Sequence, residues 1–231
     1  TAQSKFGGAS GLFDGTGDYL TSPDSDDWYF SGDFTIDGWI RFSSIPAASS
    51  IFFGQYVDGN NYQYWYWDPA NTLYFENKST TAKVGFYCSF TPSANTWYHI
   101  ALVRSGNTYY EFIGGTSQAL TLANGSYSNA LGDIGAIAGI GALTTPSNYF
   151  PGHIDEFRVS KGIARWTANF TPPTVAYSID NLQCYSEATI KQQGSYSLKA
   201  IAQLTGTLTD TLIRTLTSTA VLDLREQDTV S

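Results

Sequence analysis

Hydrophobic and polar residues alternate along most of this chain, and the period is two. Over 152–161, Ile154, Glu156, Arg158 and Ser160 fall on one side of an extended backbone, with Asp155, Phe157 and Val159 on the other, as a strand requires. Over 33–42, Phe34, Ile36, Ile40 and Phe42 share one face. The run 62–67 sets Tyr62, Tyr64 and Tyr66 opposite Trp65 and Trp67. Segments 72–76, 83–90 and 108–113 read as further strands, while 96–104 is apolar on both faces and reads as a central strand. Turn chemistry separates them at Asp14-Gly15, Asp68-Pro69-Ala70-Asn71, Ser105-Gly106-Asn107 and Gly114-Gly115. Phe170-Thr171-Pro172-Pro173 stops regular pairing. Many short strands at regular spacing, without helix-length periodicity, predict an all-β antiparallel β-sandwich with Greek-key or jelly-roll connectivity.

Composition sharpens this picture. Aromatic residues make up 16% and charged residues only 14% of the 231 positions, with 22 Gly, a balance suited to strands and tight turns. Hydrophobic residues at 42% suffice for a packed core. The net charge of −8 argues against nucleic acid, since no basic stripe is available to neutralise phosphates. No apolar run approaches the roughly 20 residues that span a bilayer. The chain opens on polar Thr1-Ala2-Gln3-Ser4-Lys5 and contains no Met, which points to a processed or incomplete chain. Two cysteines, Cys88 and Cys184, provide neither a disulfide framework nor zinc spacing. They either pair or stay free, and two free, partly buried thiols are the favoured expectation.

Four blocks occur in a recognisable order: Phe13-Asp14-Gly15 with Asp18-Tyr19-Leu20, Asp33-Phe34-Thr35-Ile36 with Trp39, the run from Thr96 to Arg104, and the run from Gly152 to Val159. Together they resemble laminin-G-like, concanavalin A-like domains over about residues 6–177. The trailing Gly162-Ile163-Ala164-Arg165-Trp166 and Phe170-Thr171-Pro172-Pro173 are similar to the variant common in bacterial surface and phage structural proteins. The resemblance implies a jelly roll over 1–177 and a place in a larger extracellular, cell-surface or virion protein. After Tyr177 the pattern changes, and Gly194-Ser195-Tyr196-Ser197-Leu198 resembles the start of a second jelly-roll module. Residues 178–231 are too few to close such a sandwich, so they are expected to be a truncated module, or strands completed by another chain.

Candidate chemistry is sparse. Glycoside hydrolysis needs two carboxyl groups facing one cleft, and the adjacent Asp155 and Glu156 point to opposite faces of a strand. Glu76 and Glu111 have no evident second acid, so no catalytic residue is assigned and the protein is not expected to be an enzyme. His99 and His153, the only histidines, lack metal-ligand spacing. Calcium is the cofactor considered, because domains of the resembled family often hold one and acidic loops are present. If the N-terminal strand pairs beside 153–159, Asp14 and Asp155 could share it. The ligand-binding expectation rests on Tyr62, Tyr64, Trp65, Tyr66 and Trp67, whose rings suit the C–H faces of sugars. Arg165-Trp166 is expected to pack on the surface. Asn77, Asn124 and Asn169 match the N-glycosylation pattern, which matters only in a eukaryotic secretory setting. The expected role is adhesion to, or recognition of, a glycan or surface receptor. The alternative is an architectural virion or fibre component whose aromatic face packs on neighbouring subunits.

Overall fold

The computed structural model describes residues 3–80, 82–143 and 147–177. Apart from Tyr177 these belong to the first of two units, Thr1–Ala176. The expected second module over 178–231, and Cys184 with it, lies outside the described residues.

The strands are β1 (Gly11–Asp14), β2 (Leu20–Ser22), β3 (Phe34–Phe42), β4 (Ser50–Asp58), β5 (Asn61–Asp68), β6 (Thr72–Lys78), β7 (Lys83–Ser89), β8 (Trp97–Ser105), β9 (Thr108–Ile113), β10 (Thr116–Ser117), β11 (Thr121–Gly125), β12 (Ala138–Ile140) and β13 (Pro151–Lys161). A 3-10 turn, Asp26–Trp28, is capped by the Ser25 hydroxyl, which accepts from the Asp27 N–H. One sheet runs β1-β13-β3-β8-β9-β10 and the other β11-β7-β6-β5-β4-β12-β2, with antiparallel neighbours throughout. This is the expected all-β sandwich. No helix of the described residues is long and apolar enough to cross a membrane.

The core lies between the sheets and is built from aromatic rings. Phe34, Ile36, Ile40 and Phe42 of β3 are buried there, as the alternation requires. Phe42 meets Trp67 edge-on at 5.5 Å, and Phe34 meets Phe75 at 6.3 Å. Cys88 of β7 is buried in this core, where loss of solvation pushes its thiol pKa up, an inert setting for a cysteine.

The alternation expected for β13 is broken by a bulge. Asp155 pairs with Trp39 and Arg158 with Asp37, so Glu156 and Phe157 together face the single residue Gly38. Glu156 takes φ 52° to do so. A Cβ on Gly38 would sit 3.2 Å from the Phe157 Cα, so glycine makes room for the bulge. Asp155 and Arg158 consequently share the outer face, where strict alternation had set them apart.

The outer face of this first sheet is roofed by segments from both ends of the unit. Trp166 stacks on Phe170 at 3.9 Å, and with Ala164 they cover Ala101, Val103 and Phe112. Beneath them Asp37 accepts from Arg158 Nε and Nη2, each at 3.0 Å, and lies 3.4 Å from His99 Nε2. This cover explains why β8 is apolar on both faces. Arg165 and Trp166 thus pack on the sheet, as expected.

Candidate functional site

β5 has residues of two kinds on its two faces, and the structure decides which set faces the core. Trp65 and Trp67 are 0% and 1% exposed. Their indole N–H groups donate inward, Trp65 to Glu111 Oε1 at 3.3 Å and Trp67 to the Phe90 carbonyl at 3.1 Å. The ligand-binding role expected of these two tryptophans is therefore corrected. They are the largest pieces of the core, and burying them outweighs the benefit of showing them to a ligand. Tyr62, Tyr64 and Tyr66 take the outer face.

There the register of the second sheet adds three tyrosines that no single-strand pattern links. Tyr56 of β4 lies opposite Tyr62, Tyr74 of β6 opposite Tyr66, and Tyr87 of β7 opposite Tyr74. The rings form an unbroken chain. Tyr62 and Tyr64 stack at 4.6 Å and 9°, Tyr56 and Tyr64 at 6.3 Å, Tyr66 and Tyr74 at 5.2 Å, and Tyr74 and Tyr87 at 5.5 Å. Tyr64 meets Tyr66 edge-on at 6.5 Å and joins the two halves. All six are half-buried. Most of these pairs are near-parallel.

Charge sits among these rings. Glu76 of β6 lies opposite Tyr64, and its Oε1 is 2.6 Å from Lys83 Nζ. Both members of this pair act electrostatically on the Tyr62 hydroxyl. Burial, then the neighbouring Tyr56, raises the Tyr64 pKa; burial, then Glu76, raises that of Tyr66. Tyr62 and Tyr74 shift the same way, again with burial first and Glu76 next. The phenols thus keep their protons and act as neutral donors and acceptors. Asn124 borders the face and donates to Tyr74 Oη at 3.4 Å. On the other side Leu143 lies over Gly54, where a Cβ would come within 2.8 Å of it.

The expected calcium pair is not brought together. β1 does pair with β13, but Asp14 lies opposite Pro151 while Gly11 lies opposite Ile154, the neighbour of Asp155. That offset is four strand residues, roughly 13 Å. Each carboxylate is also engaged separately. Asp14 Oδ1 accepts from the Thr16 N–H and hydroxyl at 2.6 and 2.9 Å, and Asp155 Oδ2 accepts from the Lys5 and Phe6 N–H groups at 2.7 and 3.1 Å. Among the described residues no group of three or more His, Cys, Asp or Glu is placed to hold a metal ion. Nor do Glu76 and Glu111 face one cleft, since Glu76 points outward and Glu111 lies fully buried in the core. Asn77 is fully buried, its amide donating to Gln63 Oε1 at 3.0 Å, which removes it as a glycan acceptor in the folded chain.

No curated protein matches the chain in sequence. Several solved structures are similar to it at low identity. The carbohydrate-binding module (CBM40) of a Ruminococcus gnavus IT-sialidase is 17% identical, with a TM-score of 0.46 over 58% of this chain and 78% of that one. Domains LG4-5 of the mouse laminin alpha1 chain are 14% identical, with a TM-score of 0.48 over 64% of this chain and 40% of that one. A putative carbohydrate binding protein from Bacteroides ovatus is 17% identical, with a TM-score of 0.49 over 70% and 44%. The chain thus spans less than half of the last two. A family model described as the concanavalin A-like lectin/glucanases superfamily matches residues 14–165. That match covers well over half of the sequence, and the chain belongs to the laminin-G-like branch of this superfamily.

Proposed function

We propose that this domain is a non-enzymatic recognition and adhesion module that binds a glycan on its tyrosine face. The observation that carries the reading is the unbroken chain Tyr62-Tyr64-Tyr66-Tyr74-Tyr87, with Tyr56 joined to it at Tyr64, on an outward sheet face with Glu76 and Lys83 set among the rings. Neutral phenols beside a carboxylate and an amine form a dense array of donors and acceptors, the complement of a hydroxyl-rich polymer. The rings provide apolar contact between those polar points. A sialidase module and a putative carbohydrate binding protein among the similar structures agree with this role. The module serves at an extracellular or cell surface, or on a virion, as part of a longer protein.

The test is a glycan array read with the wild-type chain and with a Tyr64→Ala, Tyr66→Ala double variant. Saturable binding that drops at least tenfold in the double variant, with only a small change in melting temperature, is the expected result. Binding is expected to survive a calcium chelator, because Asp14 and Asp155 do not meet. If the wild type binds no glycan but self-associates through this face, and the double variant is monomeric, the architectural role replaces the proposed one.

A further inference from the structure

A second face, on the opposite sheet, has the chemistry of an anion site. Leu12 of β1, His153 of β13, Arg41 of β3 and Trp97 of β8 are register partners in one row across four strands. Their sequence neighbours Phe13, Ile154, Ile40 and Tyr98 all belong to the core or pack against it. The row therefore lies on the outer face. Most of that face is covered: Trp166 and Phe170 roof one end, and Lys5 and Phe6 lie over Trp39. Within the row Leu12 is 61% exposed and Arg41 and Trp97 are half-buried, while His153 is buried between them.

Strands two apart in a sheet are separated by about 9.5 Å, yet the Trp97 and His153 rings approach to 6.3 Å. Both lean over β3, the strand that carries Arg41. Arg41 Nη2 donates to Asn95 Oδ1 at 2.8 Å, which fixes the plane of the guanidinium and leaves its other N–H donors available. Among the described residues Arg41 takes part in no ion pair. Lys5 adds a second cation on this face, its Nζ 4.0 Å from the Trp39 ring. The nearby carboxylate of Asp155 is occupied by two backbone N–H groups. His153 is 7% exposed and its Nδ1 has no hydrogen-bond partner, and the buried Nε1 of Trp39 likewise has none. Polar atoms this deeply buried are ordinarily paired.

We propose that Arg41, His153 and Trp97 bind a carboxylated sugar, with the carboxylate on the Arg41 guanidinium and the sugar ring against Trp97. A planar guanidinium matches a carboxylate bidentately, and an indole flank suits the C–H face of a pyranose. In a chain of net charge −8, an anion is held here only by local contacts, because repulsion from the remaining charge is screened beyond about 8 Å at physiological salt. The site is separate from the tyrosine face and stands or falls independently of it.

The experiment is an NMR titration of the 15N-labelled full chain with glucuronate, glucose and acetate in parallel. Glucuronate is expected to give saturable shifts at the Trp97 indole N–H and the Arg41 Nε–H. Glucose and acetate are expected to bind at least tenfold more weakly. Arg41→Gln, with its amide spectrum otherwise unchanged, should weaken glucuronate at least tenfold, and Tyr64→Ala should leave it intact. An equal response to acetate would make this a bare carboxylate site, of the kind an acidic peptide could fill, and would overturn the saccharide assignment. An equal response to glucose, no shift at Trp97, or full affinity in Arg41→Gln would overturn the site.

Discussion

Glu111 places a carboxyl group between the two sheets, fully buried beneath Trp65, whose indole N–H reaches its Oε1 at 3.3 Å. Its Oε2 has no hydrogen-bond partner, and the buried Cys88 thiol lies alongside. Loss of solvation dominates and pushes its pKa up from 4.5 to about 8, against smaller opposing effects from Cys88 and Trp65. The folded pKa is above the unfolded one, so Glu111 contributes its full stability below about pH 4.5 and loses it as pH rises to about 8. Glu111→Gln keeps an acceptor for Trp65 and removes the titration. The variant is expected to lose the fall in urea midpoint between pH 5 and 8.5, while the wild type loses of order a few kcal/mol across the same range. A wild-type midpoint that does not fall with pH would show that Glu111 ionises without cost. The period of two reveals that Glu111 shares a face with Tyr109 and Ile113. Its charge state is not legible in the sequence, because it depends on what lies across the sandwich.

At the scale of the element, β5 and β13 show what periodicity conveys and what it omits. In β5 the alternation separates three tyrosines from two tryptophans, but parity alone is symmetric between inside and outside. The tyrosine ladder was half legible for a related reason. Tyr56, Tyr74 and Tyr87 are visible in neighbouring strand segments, but they join Tyr62, Tyr64 and Tyr66 only once register is known, and register depends on turns and bulges. β13 fails differently, since the extra residue at Glu156–Phe157 flips the remainder of the strand. That flip delivers Arg158 to the buried Asp37 at 3.0 Å and so satisfies a charge that would otherwise be costly. Gly38 is what the bulge leans on. Gly38→Ala puts a methyl group 3.2 Å from the Phe157 Cα, so the bulge has to give by a few tenths of an ångström, which should cost about 1–3 kcal/mol in a chemical denaturation curve. A loss no greater than that of an alanine at exposed Gly59 would mean the bulge accommodates it by shifting.

For the whole molecule, the distribution of aromatic cover explains which surfaces are available for binding. The second sheet shows its tyrosines to solvent, whereas the first is closed over most of its outer face by residues 5–6 and 163–170. The motif ending in Phe170-Thr171-Pro172-Pro173 is plain in the sequence, yet its task is not, because the residues it covers lie some 55–70 positions earlier at Ala101, Val103 and Phe112. Trp166 is the centre of this roof. It stacks on Phe170 at 3.9 Å, meets the His99 ring at 5.7 Å, and lies under the Arg158 guanidinium at 5.9 Å. Removing its ring admits water to the Asp37–His99–Arg158 cluster and uncovers apolar β8 and β9 together. Trp166→Ala should therefore act as a core substitution despite its place after the last strand, costing about 2–4 kcal/mol and lowering Tm by roughly 5–15 °C. Tyr66→Ala, which removes a comparable ring from the open sheet, should shift Tm far less, since its neighbours already face water. Matched losses in the two variants would mean that the tyrosine face is itself a covered core and not a surface kept for a ligand.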